Sequence, residues 1–429
     1  MICYFCLFFF NFNIFFLKLF FLYLLILFSL TLQAQDTGIN SGALIDNIPN
    51  AEQAKKNTKE KDIADLYYGL LKKKRKISSD SLNSVHKMQL SLVPALGYTL
   101  QTGFAGIVSA NLGFYAEEAK NQKISSITSS FTYSQYHQSI IPFVANIWTK
   151  DNEFNSITDI RYIKYPSQIY GLGDNIDPNT GYIIDFSGFK FHQTVLKEVF
   201  KNTFLGIGYY FDSFWDIEPL DLSNQNITNI VANKLGASEK ASGLVFNFLF
   251  DNRINQIYPE QGWHCNISYR TNSTLLGSES NWQSVQADVR TYTHFPAGSK
   301  NVLSLWSFDW FTTSKNASPY LMLPSTGWDD QYNTGRGYIQ GRFRGKNMFY
   351  LESEYRYRIS KNGLLGGVLF GNAQYFSSDI SPTYNKPIPG GGLGLRLRLN
   401  KHSGANLCLD YGFGANNSRG FFVNLGEIF

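Results

Sequence analysis

From residue 88 onward the chain alternates apolar and polar residues with a period of two. Val285, Ala287, Val289 and Thr291 alternate with Gln286, Asp288, Arg290 and Tyr292, and Leu351, Tyr355 and Tyr357 alternate with Glu352, Glu354, Arg356 and Arg358. The same rhythm sets Leu393, Leu395 and Leu397 against Gly394, Arg396 and Arg398, and Leu407, Leu409 and Tyr411 against Asn406, Cys408 and Asp410. Successive side chains of a strand point to opposite faces, so each run predicts a strand with one apolar and one polar face. A soluble sandwich alternates too, and the connections separate the two cases. Tight turns at Phe200 to Thr203, Phe295 to Asn301, Lys361 to Gly363 and Lys401 to Gly404 interleave with long segments at Ser213 to Lys240, Thr313 to Lys346 and Ser377 to Pro389. Strict alternation of short and long connections is the habit of membrane barrels. The pattern predicts an all-β, transmembrane, antiparallel up-and-down barrel over residues 89–429, with about 16 strands of roughly 9–11 residues and both ends on the short-turn, periplasmic side.

Two segments precede the barrel. In residues 1–34, Phe, Leu and Ile run almost unbroken from Ile14 to Leu32, interrupted by Lys18, and end at Leu32-Gln33-Ala34. This reads as a secretory signal peptide with Gln35 as the first mature residue; an uncleaved helical anchor is the alternative. Residues 35–88 are polar, with Ile63, Leu66, Tyr67, Leu70 and Leu71 at helical spacing. They predict a short periplasmic linker carrying one amphipathic helix, either docked to the barrel or part of a solvated tether.

Composition supports a barrel. Aromatic residues are 16% and charged residues 17% of the chain, with 36 glycines, while mean hydropathy is negative at -0.19. A bundle of transmembrane helices would be more apolar. The net charge of +5 is mild and partly due to Lys72 to Lys76, so nucleic acid is not an expected partner. Parity places Cys265 and Cys408 on opposite faces of the wall, where no bridge is expected. No catalytic, metal or cofactor site is expected. His192, His264 and His294 lie in patterned strands as lumen-facing polar residues, and His264 and Cys265 face opposite ways. Gly390-Gly391-Gly392 reads as a loop-to-strand junction.

Four segments together resemble the BamA/TamA family of outer-membrane barrels, also called bacterial surface antigens. They are Pro94 to Tyr98 with Thr102-Gly103; a turn motif of Asp251, Arg253, Pro259 and Gly262; Arg336-Gly337-Tyr338 on the long loop before the twelfth strand; and Gly420 to Phe429. Each motif is weak alone, but the four stand in family order over about 340 residues. The resemblance implies a loop folded into the lumen, with Arg336 held by Glu352 or Glu354 of the next strand and Arg342 nearby. Asn372 stands where many members have Asp and is a further candidate partner. Phe421, Val423, Leu425 and Phe429 share one face as the implied C-terminal assembly signal, which Glu427 interrupts. Family members usually carry periplasmic polypeptide-transport-associated domains, and residues 35–88 are too few for one, so a barrel-only relative is expected.

The implied activity is non-enzymatic: insertion or export of outer-membrane or surface proteins. Its expected surroundings are outer-membrane lipid with a lipopolysaccharide outer leaflet, other assembly components and client proteins. The alternatives are a passive solute or ion channel, with Arg290, Arg356 and Arg398 setting ion preference, and a structural anchor of a complex through the linker helix.

Overall fold

The structure is a computed structural model that describes residues 60–71, 89–99, 102–115, 123, 125–177, 181–220, 238–327, 334–381, 386–401 and 404–429. Residues 1–59 and 72–88, on which the expected signal peptide and most of the expected linker fall, lie outside the described residues. Helix α1, Ile63–Leu70, is followed by sixteen wall strands. These are β1 Gln89–Thr99, β2 Gly103–Phe114, β3 Ser125–Ser134, β4 Ser139–Trp148, β5 Phe154–Lys164, β6 Tyr182–Phe200, β7 Thr203–Pro219 and β8 Ser238–Asp251. The second half comprises β9 Gly262–Asn272, β10 Trp282–His294, β11 Val302–Thr312, β12 Asn347–Arg358, β13 Leu365–Ser377, β14 Ile388–Arg398, β15 Asn406–Gly414 and β16 Arg419–Leu425. A three-residue strand, Ser167–Ile169, pairs with the start of β6 outside this series.

Every wall strand pairs antiparallel with the next, from β1 with β2 to β15 with β16. β1 and β16 also approach each other, but among the described residues no ladder pairing joins them. The alternation resolves into two environments. Phe104, Val108, Phe131, Leu305, Leu351, Leu369, Leu393 and Leu395 point outward and are exposed, whereas Glu352, Glu354, Arg356, Arg396 and Asp410 are buried inside. An apolar outside around a polar inside inverts a soluble protein and is what a bilayer requires of a closed sheet.

The connections depart from the strict short-and-long alternation expected of them. At the end where long loops were predicted, the connections after β5, β7, β11 and β13 are long, but those after β1, β3 and β15 are tight. The tight ones flank the β1/β16 seam. β6 and β7, at 19 and 17 residues, exceed the roughly 9–11 residues that cross a bilayer. Their extra length carries Tyr182, Ile184, Phe186, Phe214 and Ile217 into an apolar cluster with Ile169 and with Tyr320, Leu321 and Leu323 of the long β11–β12 loop. This cluster lies at the long-loop end, and Ile140 of β4 packs against it.

Candidate functional site

The β11–β12 loop re-enters the barrel, and Arg336 sits at the end of its descent, 1% exposed. Its Nη2 donates to the carboxylates of Glu352 and Glu354 on β12. Its Nη1 donates to Asp410 Oδ2 on β15 at 2.6 Å. The guanidinium stacks over Phe370 on β13, 3.7 Å from the ring centroid. A buried guanidinium is tolerable only when its donors meet carboxylates, and several are met here at once.

The network continues away from the loop. Arg396 pairs with Asp410 and donates Nε to Glu427 Oε2 at 2.8 Å. Arg356 donates Nε to Glu354 Oε2 at 2.7 Å. Tyr350 donates to Glu352 and accepts from the Gly335 amide at 3.0 Å. Three guanidiniums, Arg336, Arg356 and Arg396, thus face four carboxylates, Glu352, Glu354, Asp410 and Glu427.

The loop backbone lies close against the wall. Gly337 has φ +113, and a Cβ there would lie 2.5 Å from Phe413 O. Asn372 donates Nδ2 to the Arg336 carbonyl at 3.1 Å, so it holds the loop backbone and not the guanidinium. Tyr338, buried, donates to Pro389 O at 2.5 Å and accepts from the Ala415 amide at 2.6 Å. Gly390 to Gly392 lie inside β14, which corrects the junction reading. A Cβ at Gly390 would stand 2.9 Å from Arg336 O, so glycine there makes room for the loop. Arg342 is placed further up, donating to Ile176 O at 2.9 Å and stacking on Tyr170. Arg344 donates to Tyr320 O at 2.8 Å and Leu323 O at 3.2 Å, which fastens the loop to the apolar closure.

The turn motif stands at the opposite end. Arg253 grips Asp251 with two bonds, 2.9 Å and 2.6 Å, and His264 adds a third at 3.1 Å. Gly262 takes φ +110 to re-enter β9, and Pro259 O accepts from Arg356 at 3.5 Å.

The C-terminal residues require a correction. Phe421 is exposed on the outer face as expected of the set, but Phe429 is 4% exposed and lies inside, against Trp306 and Tyr292. β16 ends at Leu425, and Gly426 at φ +89 turns the last residues inward. Period-two parity holds only while the strand continues. Glu427, which interrupted the apolar face in sequence, enters the ion network, and Phe429 O accepts from Arg356 at 2.7 Å.

Sequence reasoning did not pair Asp410, Arg396 and Glu427 with the loop arginine. The inward parity of Asp410 and Arg396 was the available signal; which strands flank the loop was not.

The linker reaches the short-turn end by its charges. Glu60 bonds Arg358 at 2.7 Å, Lys401 Nζ bonds Asp65 at 2.7 Å, and Lys61 N donates to Asn362 O at 2.9 Å. Asp62 and Asp65 also form a reciprocal cap on α1. Leu66 and Leu70 remain exposed.

On the other side of the lumen, β5 to β11 line a cavity of about 350 Å³ with Arg161, His192, Asp212, Arg270, Asp288 and Arg290 among its walls. Its histidines are occupied: His192 meets Asp212 at 2.9 Å and His264 meets Asp288 at 3.6 Å.

Neither a family model nor a curated protein matches the sequence. Solved structures do match the fold. The BamA of Haemophilus ducreyi lacking POTRA domains 1–3 aligns at TM-score 0.53 and 14% identity, over 79% of this chain and 70% of that one. CdiB of Acinetobacter baumannii aligns at 0.53 and 13% over 80% of this chain, which spans 60% of that protein. CdiB of Escherichia coli aligns at 0.53 and 11%, over 80% and 67%.

Proposed function

We propose that this barrel resides in a bacterial outer membrane and helps insert or export outer-membrane or surface proteins. The observation that carries the reading is the buried lock of Arg336 onto Glu352, Glu354 and Asp410. It lies within a sheet shaped like the BamA and CdiB barrels. The lock fixes the loop against β12 to β15, and among the described residues the β1/β16 seam has no ladder of its own. In the proposed cycle the seam parts sideways, and a client strand adds to the freed edge by backbone hydrogen bonds. The C-terminal strand, with Phe421 and Val423 facing outward, is the segment assembly components would read during the barrel's own insertion. Lipopolysaccharide and phospholipid would be its outer partners.

Depleting the protein and comparing outer-membrane proteomes tests this reading. Selective loss of other barrels or surface proteins is expected; loss of solute uptake alone would sink it. A disulfide between β1 and β16 should abolish function, and normal function in the locked protein would remove the seam from the mechanism. The passive-channel reading is disfavoured by the cluster around Leu321, since Leu321 to Pro324 of the loop line the cavity and narrow that side of the lumen. Stable, ion-selective conductance in planar bilayers would reverse that preference.

A further inference from the structure

The cavity of about 350 Å³ between β5 and β11 is walled by charges that answer one another. Arg270 pairs with Asp212 at 2.7 Å, Arg290 with Asp288 at 2.8 Å and Arg161 with Asp159 at 2.6 Å. Lys190 of β6 also lines it and has no ion pair among the described residues. One level of the wall carries no charge. The ladders set Asn247 of β8 opposite Ser268 of β9, Ser268 opposite Gln286 of β10, and Gln286 opposite Trp310 of β11. All four side chains line the cavity. Neighbouring strands lie about 4.8 Å apart, so the four make a continuous row roughly 14 Å long.

The hydrogen-bonding capacity of this row is largely unspent. Asn247 turns its Nδ2 to Asn266 Oδ1 at 3.5 Å, while its own Oδ1 is buried without a partner, as is Trp310 Nε1. Ser268 and Gln286 make no side-chain hydrogen bond among the described residues. Buried polar atoms in folded proteins are nearly always matched, by protein, water or ligand. Read across the strands, the row offers an acceptor, then a hydroxyl and an amide that both donate and accept, then a donor on an aromatic ring.

We propose that this row is a binding site for a sugar, an uncharged polyhydroxylated ring held by Asn247, Ser268, Gln286 and Trp310. Each hydroxyl of a sugar both donates and accepts, which suits a row that presents both kinds of group and no charged side chain. Its C–H face packs on an aromatic ring, and Trp310 supplies one at the end of the row. The arginines around the row are already paired, so an anionic ligand would have to break a buried ion pair to use one. An apolar ligand would leave the amides and the indole N–H unmatched. The cavity falls in the range of small-ligand pockets, roughly 300–1,000 Å³. The site goes beyond the assembly reading and does not depend on it.

The test uses the full chain in phospholipid nanodiscs, free of glycolipid and of sugar-headed detergent, with three probes titrated by ligand-observed NMR. The probes are maltose, di-N-acetylchitobiose and glucuronate. At least one of the two neutral sugars should bind saturably, with a Kd of about 1 mM or tighter. Maltose alone would point to plain hexose chains as the source, and the amino sugar alone to N-acetylated glycans such as those of a cell wall. Gln286→Leu and Ser268→Ala should each weaken that binding about threefold to tenfold, the worth of one hydrogen bond. Unchanged heat-modifiable gel mobility would show that both variants still fold. If water alone serves the row, neither neutral sugar will saturate at about ten times that concentration, and the proposal falls. It falls equally if both variants bind as the parent does. Binding of glucuronate alone, lost in Lys190→Met and kept in Gln286→Leu, would make the cavity an anion site and overturn it. No client is present in the assay, so either result leaves the assembly reading to its own test.

Discussion

The two ends of the sheet are built on opposite principles. β1 to β4 carry no Asp, Glu, Lys, Arg or His, and the inner face of β2 to β4 mixes Ser109, Thr128, Ser130 and Thr132 with Ile107, Ile140 and Val144. β12 to β15 with the C-terminal tail bury the side chains of Arg336, Arg356, Arg396, Glu352, Glu354, Asp410 and Glu427 in one connected network. Buried charges are satisfied in one geometry only, so they commit their half of the barrel to a single register and a fixed loop. A neutral wall makes no such commitment: it can shift or widen without stranding a charge. The two halves meet at the β1/β16 seam; in the proposed cycle the charge-locked strands β12 to β16 would be the anchored side and β1 to β4 the side free to shift.

The sharpest way to break this comparison is to remove the guanidinium at its centre. Arg336→Ala leaves Glu352, Glu354 and Asp410 facing one another without their shared cation, at a cost of about 3–5 kcal/mol. Urea titration of the folded barrel, read by its heat-modifiable gel mobility, should show that loss. In the neutral half, Thr132→Ala should change stability by less than about 1 kcal/mol in the same assay. Comparable losses in the two variants would erase the distinction. Next in size is Gly392→Ala on β14. Its Cβ would come within 2.1 Å of Tyr411 O, whereas a Cβ at Gly106 on β2 meets nothing within 4 Å. We expect Gly392→Ala to cost about 1–3 kcal/mol through overpacking and Gly106→Ala to be close to neutral. An indifferent Gly392→Ala would mean that β14 is not pressed between its neighbours as described.

How much of this was legible in the sequence follows from the range over which each signal acts. Strand positions and their faces were readable because side-chain alternation is local: Leu393 and Leu395 face out and Arg396 faces in, as the period of two dictates. Glu352 and Glu354 could be named beside Arg336 because they lie on the strand that follows its loop. Asp410 is 74 residues away in sequence, and only the order of strands around the barrel brings it to the same guanidinium. Phe429 was misplaced because parity was carried past Gly426, where a positive φ ends the strand. The triple glycine of β14 looked like a junction because its reason, the loop backbone seated on it, is tertiary. The neutral wall was legible as four consecutive strands without a charge, but an absence draws attention only when set against the crowded half.

The smallest expected effect sharpens the comparison at the short-turn end, where the linker chooses sides. Its charged contacts go to the anchored half and the neighbouring β10–β11 turn: Glu60 to Arg358 and Lys300, and Asp65 to Lys401. Burial works to raise the Glu60 carboxyl, but the hydrogen bond and charge of Arg358, with Arg398 and Lys300 behind it, outweigh burial and hold it below its ordinary 4.5. A carboxyl lowered in the docked state stabilises docking fully above that ordinary value and loses its contribution as the pH falls through the lowered one. The linker should therefore stay docked from neutral pH down to about 4.5 and loosen only in stronger acid, by less than about 1 kcal/mol for a pair so near solvent. Glu60→Gln should loosen it at every pH. A spin label at Gly69→Cys, read by its mobility across a pH series in a Cys265→Ser background, separates these outcomes. Release beginning near neutral pH would show that Glu60 is not the group that ties the linker to the anchored half.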